Sequence, residues 1–192
     1  MLIYRKRLLK TLKNRTMRQI TIILAIFLSL SACNNAKVNE LETLKKEVKM
    51  KTEIATKNKA TTLEFLKALE NMNANAVAKL FAIDGKHINP YASGIFSDGV
   101  SGQDAIREYW KPVFPNFEKM EFPVEEIHAM EDASMTFVKF KGKIKLKNDA
   151  GWYENDYYAT FKFNEEGKII EYVEIFNPIT AAKGFGLLDK IK

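Results

Sequence analysis

The sequence predicts an α+β domain in which helices pack on one face of a curved antiparallel sheet. Three observations carry this. Apolar residues recur at helical spacing between Thr61 and Trp110. Beyond Phe117 the pattern changes to alternation of apolar and polar residues. The joints between the alternating runs are short, which makes neighbouring strands antiparallel. Helices first and strands after is the order of an α+β fold.

A leader precedes this domain. Seven Lys and Arg and no acid lie between Arg5 and Arg18, and every residue from Ile20 to Leu30 is apolar, Thr or Ser. This is the n-region and h-region of a signal peptide over residues 1–32, with Met17 as a second candidate start. Eleven such residues make a helix of about 16 Å, roughly half the hydrocarbon thickness, so a cleaved leader is expected rather than a span. Leu30-Ser31-Ala32-Cys33 resembles the lipobox of bacterial lipoproteins, which implies a diacylglycerol on Cys33; an ordinary secretory cut near Ser31 would leave Cys33 an idle thiol. The expected location is the cell envelope, on the outer membrane or periplasmic face of a Gram-negative bacterium. Asn34 fits the outer membrane by the enterobacterial sorting pattern.

Removing the leader changes the charge. Of 30 Lys and Arg seven precede Cys33, whereas none of the 24 acids does, leaving 23 bases against 24 acids. The mature chain is near neutral, which removes nucleic acid as an expected partner. With one cysteine, no disulfide closes within a chain.

Residues 33–60 carry the lipidated cysteine and a polar tether, rich in Lys, Glu, Asn and Thr. Leu41, Leu44 and Val48 allow a short helix within it. Residues 61–192 have the size of one domain. Thr61-Thr62-Leu63-Glu64 has the pattern of a capping box, opening a helix through Leu63, Leu66, Leu69 and Met72. Asn73 or Asn75 caps a second helix through Val77, Leu80 and Phe81. A third starts near Ser101, carries Ile106, Tyr109 and Trp110, and stops before Pro112 and Pro115. Strands follow at Glu121–Ala129, Met135–Leu146, Trp152–Asn164 and Lys168–Asn177, separated by Asn-, Asp- and Gly-rich turns.

The string from Gly151-Trp152-Tyr153 to Tyr157-Tyr158, then Glu166-Gly167-Lys168-Ile169-Ile170 and Val173-Glu174-Ile175-Phe176-Asn177-Pro178, resembles the last strands of SnoaL-like proteins. These belong to the nuclear-transport-factor-2-like superfamily, whose fold is a cystatin-like roll. The run Glu174 to Leu187, with Ala181, Ala182 and Gly184-Phe185-Gly186, most resembles the phenazine-biosynthesis A/B family. The resemblance implies a cone-shaped sheet wrapped around N-terminal helices, a small-molecule pocket at its open end, and a homodimer.

Alternation along the last strand sets Ile170, Tyr172, Glu174 and Phe176 on one face. A carboxyl flanked by aromatics in a pocket suits general acid or base work, and by the resemblance Glu174 matches the phenazine family's acid/base glutamate. If Ile169, Val173 and Ile175 form the core face instead, Glu174 is a solvated strand residue. The phenazine family also uses a histidine on its third helix; Tyr109 takes that place here. A phenol cannot shuttle protons at neutral pH as imidazole does, but it can donate a hydrogen bond. Trp110 offers a stacking surface or core. His87, on the first strand, is the third catalytic candidate. Tyr91, Trp110, Tyr157, Phe176 and Asn177 complete the candidate ligand set. His128 ends an alternating strand at an edge, and two isolated histidines make no metal site. No cofactor is expected, and nucleophile-elbow, phosphate-loop and dinucleotide motifs are lacking.

Lys139, Lys141, Lys143, Lys145 and Lys147 share one face of a strand. They make either a solvated outer surface or a basic strip that meets phospholipid. Three functions stay open: a membrane-anchored module that binds a small, partly apolar molecule; an isomerase-, dehydratase- or condensation-type enzyme; and an interaction domain with a filled pocket. Replacing Cys33 by Ser is expected to move the protein from the membrane fraction to the soluble one with loss of the lipid mass. Unchanged membrane partition would contradict the lipobox.

Overall fold

The computed structural model describes the backbone of residues 2–148 and 150–190, with side chains at Met17, 37–148 and 150–190. Cys33 and the leader residues flanking it lie outside the described side chains. Among the described residues no helix is long and apolar enough to cross a membrane.

The chain divides into two compact units, Met1–Met50 and Lys51–Lys192. Helix α1 spans Leu2–Glu70. In the first unit its side chains from Lys37 to Met50 are all exposed. In the second unit its turns from Asn58 onward pack: Asn58 is buried and its amide donates to the Ala133 carbonyl at 2.9 Å. Thr61 and Thr62 therefore sit inside a helix rather than capping one. The Thr62 hydroxyl bonds back to the Asn58 carbonyl (3.0 Å) and across to Thr136 Oγ1 (2.8 Å), which satisfies it without a helix end.

Helix α2 (Ala74–Leu80) has Asn73 as its N-cap, the side chain accepting from the Ala76 N–H. It ends one residue before the expected Phe81, where strand β1 (Phe81–Ile88) begins. A short strand β2 (Gly99–Ser101) and helix α3 (Gln103–Trp110) follow. Where one strand was expected over Glu121–Ala129 there are two, β3 (Phe117–Glu121) and β4 (Val124–Ala129). Phe122 turns inward against Phe140 and Tyr157, Pro123 has no N–H for the ladder, and the Phe122 N–H goes to Glu70 Oε1 at 2.8 Å instead. The long strands β5 (Met135–Leu146), β6 (Trp152–Phe163) and β7 (Ile169–Phe176) lie within a residue or two of their expected bounds, and helix α4 (Pro178–Gly184) and a 3-10 turn (Leu188–Lys190) follow.

The sheet runs β2-β1-β7-β6-β5-β3, with β4 also on β5. All pairs are antiparallel except β1 with β7, which is parallel. Register shifts in four pairs bend it, and the sheet curls into the half-barrel cone that the resemblance implied. Inside the cone Phe65 of α1 meets Phe81 (6.0 Å between centroids), Phe161 (5.2 Å) and Tyr172 (4.6 Å).

The lysine face points out, and acids face it. Lys139 pairs with Glu125 at 2.9 Å, Lys145 with Glu118, and Lys141 lies between Glu125 and Asp156. Lys143 stands opposite Glu121 and Glu154. From Lys139 to Lys145 the face is therefore a compensated, solvated ladder rather than an unopposed basic strip for phospholipid, and Lys147 lies one residue beyond the end of β5.

Phe65→Ala is expected to cost about 3–5 kcal/mol in urea unfolding, because it empties the centre of the helix–sheet contact. Leu63→Ala, at an exposed position of the same helix, should cost less than about 1 kcal/mol.

Candidate functional site

The wide end of the cone is not filled. Beyond Phe65 a cavity of about 330 Å³ opens between α3, α4 and the inner sheet face. Strand alternation explains which side chains reach it. On β6 every second residue is buried, so Tyr153, Asn155 and Tyr157 point inward while Trp152 and Tyr158 are exposed. On β7 Tyr172 and Glu174 point inward and Ile175 outward, the first of the two arrangements open from sequence, whereas at the start of the strand a register shift reverses it and buries Ile169 fully in place of Ile170.

Two glycines make room for the wall. A Cβ at Gly142 would stand 2.5 Å from the Tyr157 ring, and one at Gly184 would stand 2.5 Å from the Tyr153 ring. The Tyr157 ring fills the first space, stacked on Phe140 at 5.1 Å. Asn155 donates both to the Tyr153 hydroxyl (2.7 Å) and to the Asn177 carbonyl (2.9 Å), tying α4 to the rim. Tyr153 and Tyr157 share a hydroxyl contact of 3.0 Å.

Glu174 is the carboxyl of this cavity, 9% exposed. Tyr172, fully buried, donates to its Oε1 at 2.6 Å. His87 places Nε2 3.8 Å from its Oε2, beyond hydrogen-bond range. The imidazole is held by rings: stacked on Trp110 (5.8 Å, 6°), edge-on to Tyr109 (5.1 Å) and tilted on Tyr172 (4.9 Å). Burial and the Glu174 charge push the Tyr109 phenol up to about 12, with the Asn89 side chain acting in the opposite sense. Burial and the same carboxylate raise Tyr172 well above its ordinary value; burial and the neighbouring Tyr153 do so for Tyr157. These phenols are donors, not bases, at neutral pH.

Of the residues expected from sequence, Glu174, Tyr109, Trp110, Tyr157 and Phe176 come together as walls of the cavity. His87 lies behind that wall, against Glu174, and is not itself a lining residue. Tyr91 is 60% exposed on the loop after β1 and stays away from the cavity. Asn177 is spent on structure, its Oδ1 capping α4 through the N–H groups of Ile179 (3.0 Å) and Thr180 (3.2 Å). It lines a separate groove with Lys141 and Asp156. Among the described residues no cluster of three or more His, Cys, Asp or Glu is placed to hold a metal ion.

Sequence reasoning missed Asn89, Phe96, Tyr153 and Phe185. Asn89 lies one residue beyond β1, where no periodicity applies. Gly142, an isolated glycine inside a strand of alternating lysines, marks the close approach of the Tyr157 ring.

Residues 62–172 match the family model described as SnoaL-like domain. No curated protein matches the chain. Among solved structures, a phenazine biosynthesis-related protein from Pseudomonas aeruginosa is 18% identical with a TM-score of 0.62, over 73% of this chain and 92% of that one. A putative isomerase from Bacillus subtilis is 18% identical with a TM-score of 0.63, over 71% and 96%. An LEH-like epoxide hydrolase from M. tuberculosis is 17% identical with a TM-score of 0.55, over 67% and 89%. At these identities the likeness is one of fold.

Because the Tyr109 phenol is held up to about 12, its neutral form stabilises the fold fully below its ordinary value near 10. That contribution is lost as pH rises through about 12. Tyr109→Phe should therefore lose less stability than the wild type between these limits, read by denaturant unfolding, and should remove one late step from the tyrosinate absorbance titration.

Proposed function

The chain belongs to the SnoaL-like domain family, and on that premise we propose that it is an envelope lipoprotein whose cone binds a small, partly apolar molecule. The observation that carries this reading is the cavity itself. At about 330 Å³ it lies within the usual size of ligand sites, and nine of its 18 lining residues are aromatic. A filled pocket, the premise of a pure interaction domain, does not describe it. The lipid on Cys33, the tether and a homodimer belong to the same proposal, supported by the lipobox, the polar composition of residues 34–59 and the resemblance respectively.

A second reading is an isomerase- or dehydratase-type enzyme with Glu174 as general acid or base. One observation favours it: Tyr172 fixes Oε1 and leaves Oε2 without a hydrogen-bond partner within range. Tyr109 would then donate to a substrate oxygen, since its phenol stays protonated at neutrality. Placement outside the cytosol, away from most biosynthetic intermediates, ranks binding first.

Native mass spectrometry of the detergent-extracted protein is expected to show a small bound molecule that is lost on denaturation. Empty protein, together with no thermal shift from a library of amphiphilic small molecules, would overturn the binding reading. If the protein turns over a substrate, Glu174→Gln should lower kcat about 10²- to 10⁴-fold, the usual worth of a general acid or base. An unchanged kcat would remove Glu174 from the chemistry.

A further inference from the structure

The composition of the cavity wall is one-sided. Glu174 is the one acidic residue among the 18 that line it, and none of the 18 is Lys or Arg. Around that carboxyl stand aromatic surfaces. Phe176 follows it by two residues on β7, and Tyr157 faces Phe176 across the strands at 6.0 Å between centroids. Tyr109 and Trp110 meet edge to face at 5.2 Å on the α3 side.

The polar atoms that remain unspent there include acceptors. Tyr172 occupies Glu174 Oε1, whereas Oε2 has only the His87 nitrogen 3.8 Å away. Asn89 is 2% exposed, and its Nδ2 donates to the Ser97 carbonyl at 3.0 Å. That bond fixes the amide, so Oδ1 is the atom left over, and it has no partner. Leaving a buried acceptor without a donor is unfavourable, and both Asn89 and Glu174 act on the same Tyr109 phenol. A carboxylate with one oxygen unspent, set among aromatic residues, suits a cation that carries an N–H group.

We propose that the cavity selects a protonated organic amine, a molecule with an apolar body and one ammonium group that pairs with Glu174. This rests on the ligand-binding reading above and specifies the chemical class of the ligand. The ammonium donates its N–H to Glu174 Oε2, a charge-assisted hydrogen bond about twice as strong as a neutral one. The ring faces add the attraction that aromatic walls hold for cations. A neutral molecule of the same shape leaves the carboxylate unpaired, and an anion meets it with like charge, so both are disfavoured.

Three benzyl compounds of similar shape test this on the detergent-extracted full chain by calorimetry at pH 7: dimethylbenzylammonium, its neutral carbon analogue isobutylbenzene, and phenylacetate. The ammonium compound is expected to bind at least about ten-fold more tightly than either of the others. Glu174→Gln should bring the ammonium compound to within about three-fold of isobutylbenzene, while isobutylbenzene itself still binds, which shows that the variant is folded. Isobutylbenzene or phenylacetate binding as tightly as the ammonium compound would overturn the amine selectivity and leave the pocket reading standing. Binding by none of the three to the wild type, each taken up to its solubility, would overturn the amine proposal, and together with an empty protein in native mass spectrometry and no thermal shift from the library it would overturn the binding reading as well. Should Glu174→Gln fail to fold, the wild-type comparison alone decides.

Discussion

Tyr172 belongs to the core through its ring and to the site through its hydroxyl. The ring lies 4.6 Å from both Phe65 and Phe161, so it is clamped between the last turns of α1 and strand β6. The hydroxyl, carried by the same rigid plane, ends 2.6 Å from Glu174. Close-packed cores hold side chains in single rotamers. A carboxyl hydrogen-bonded to such a side chain therefore inherits its position from the helix–sheet contact rather than from anything nearer the ligand. His87 is treated the same way, fixed by three aromatic neighbours and by no hydrogen bond of its own.

The cone explains why a site exists at all. A sheet bent by register shifts encloses more volume than one helix can fill: Phe65 of α1 packs into the core, and Leu69 of the same helix lines the cavity that is left. Towards the open end the walls are rings, and the residual volume is a ligand-sized cavity with a carboxyl in its side. The outer face carries a different chemistry on the same strands. There β5 offers alternating lysines, and β3, β4 and β6 offer the acids that face them. Such exposed pairs contribute little stability each. They keep a strongly charged strand from presenting one sign of charge to a membrane or to another protein.

Local patterns misled where a distant partner satisfied the same atoms. Thr62 carries the hydroxyl of a helix cap, yet Thr136, 74 residues away, is what it meets. Phe122-Pro123 interrupts an alternating run because Glu70, at the end of a helix, takes the N–H that the ladder would have used. Asn89 had no pattern around it. Its side-chain N–H is taken by the Ser97 carbonyl, a hydrogen bond to a residue eight positions on that leaves Oδ1 without one.

The amino-acid sequence by itself determined the leader-like composition before Cys33, the helices-then-strands order, the three long strands, and that Tyr172, Glu174 and Phe176 share a face. Each of these is a matter of residue type and of periods of 2 or 3.6, which are local properties of the chain. Which of the two faces of β7 turns inward, whether the space it faces is filled, and which histidine stands behind Glu174 were decided only by the tertiary structure. These depend on sheet curvature and on contacts between residues far apart in sequence, such as Phe65 with Tyr172, and no window of the chain contains both partners.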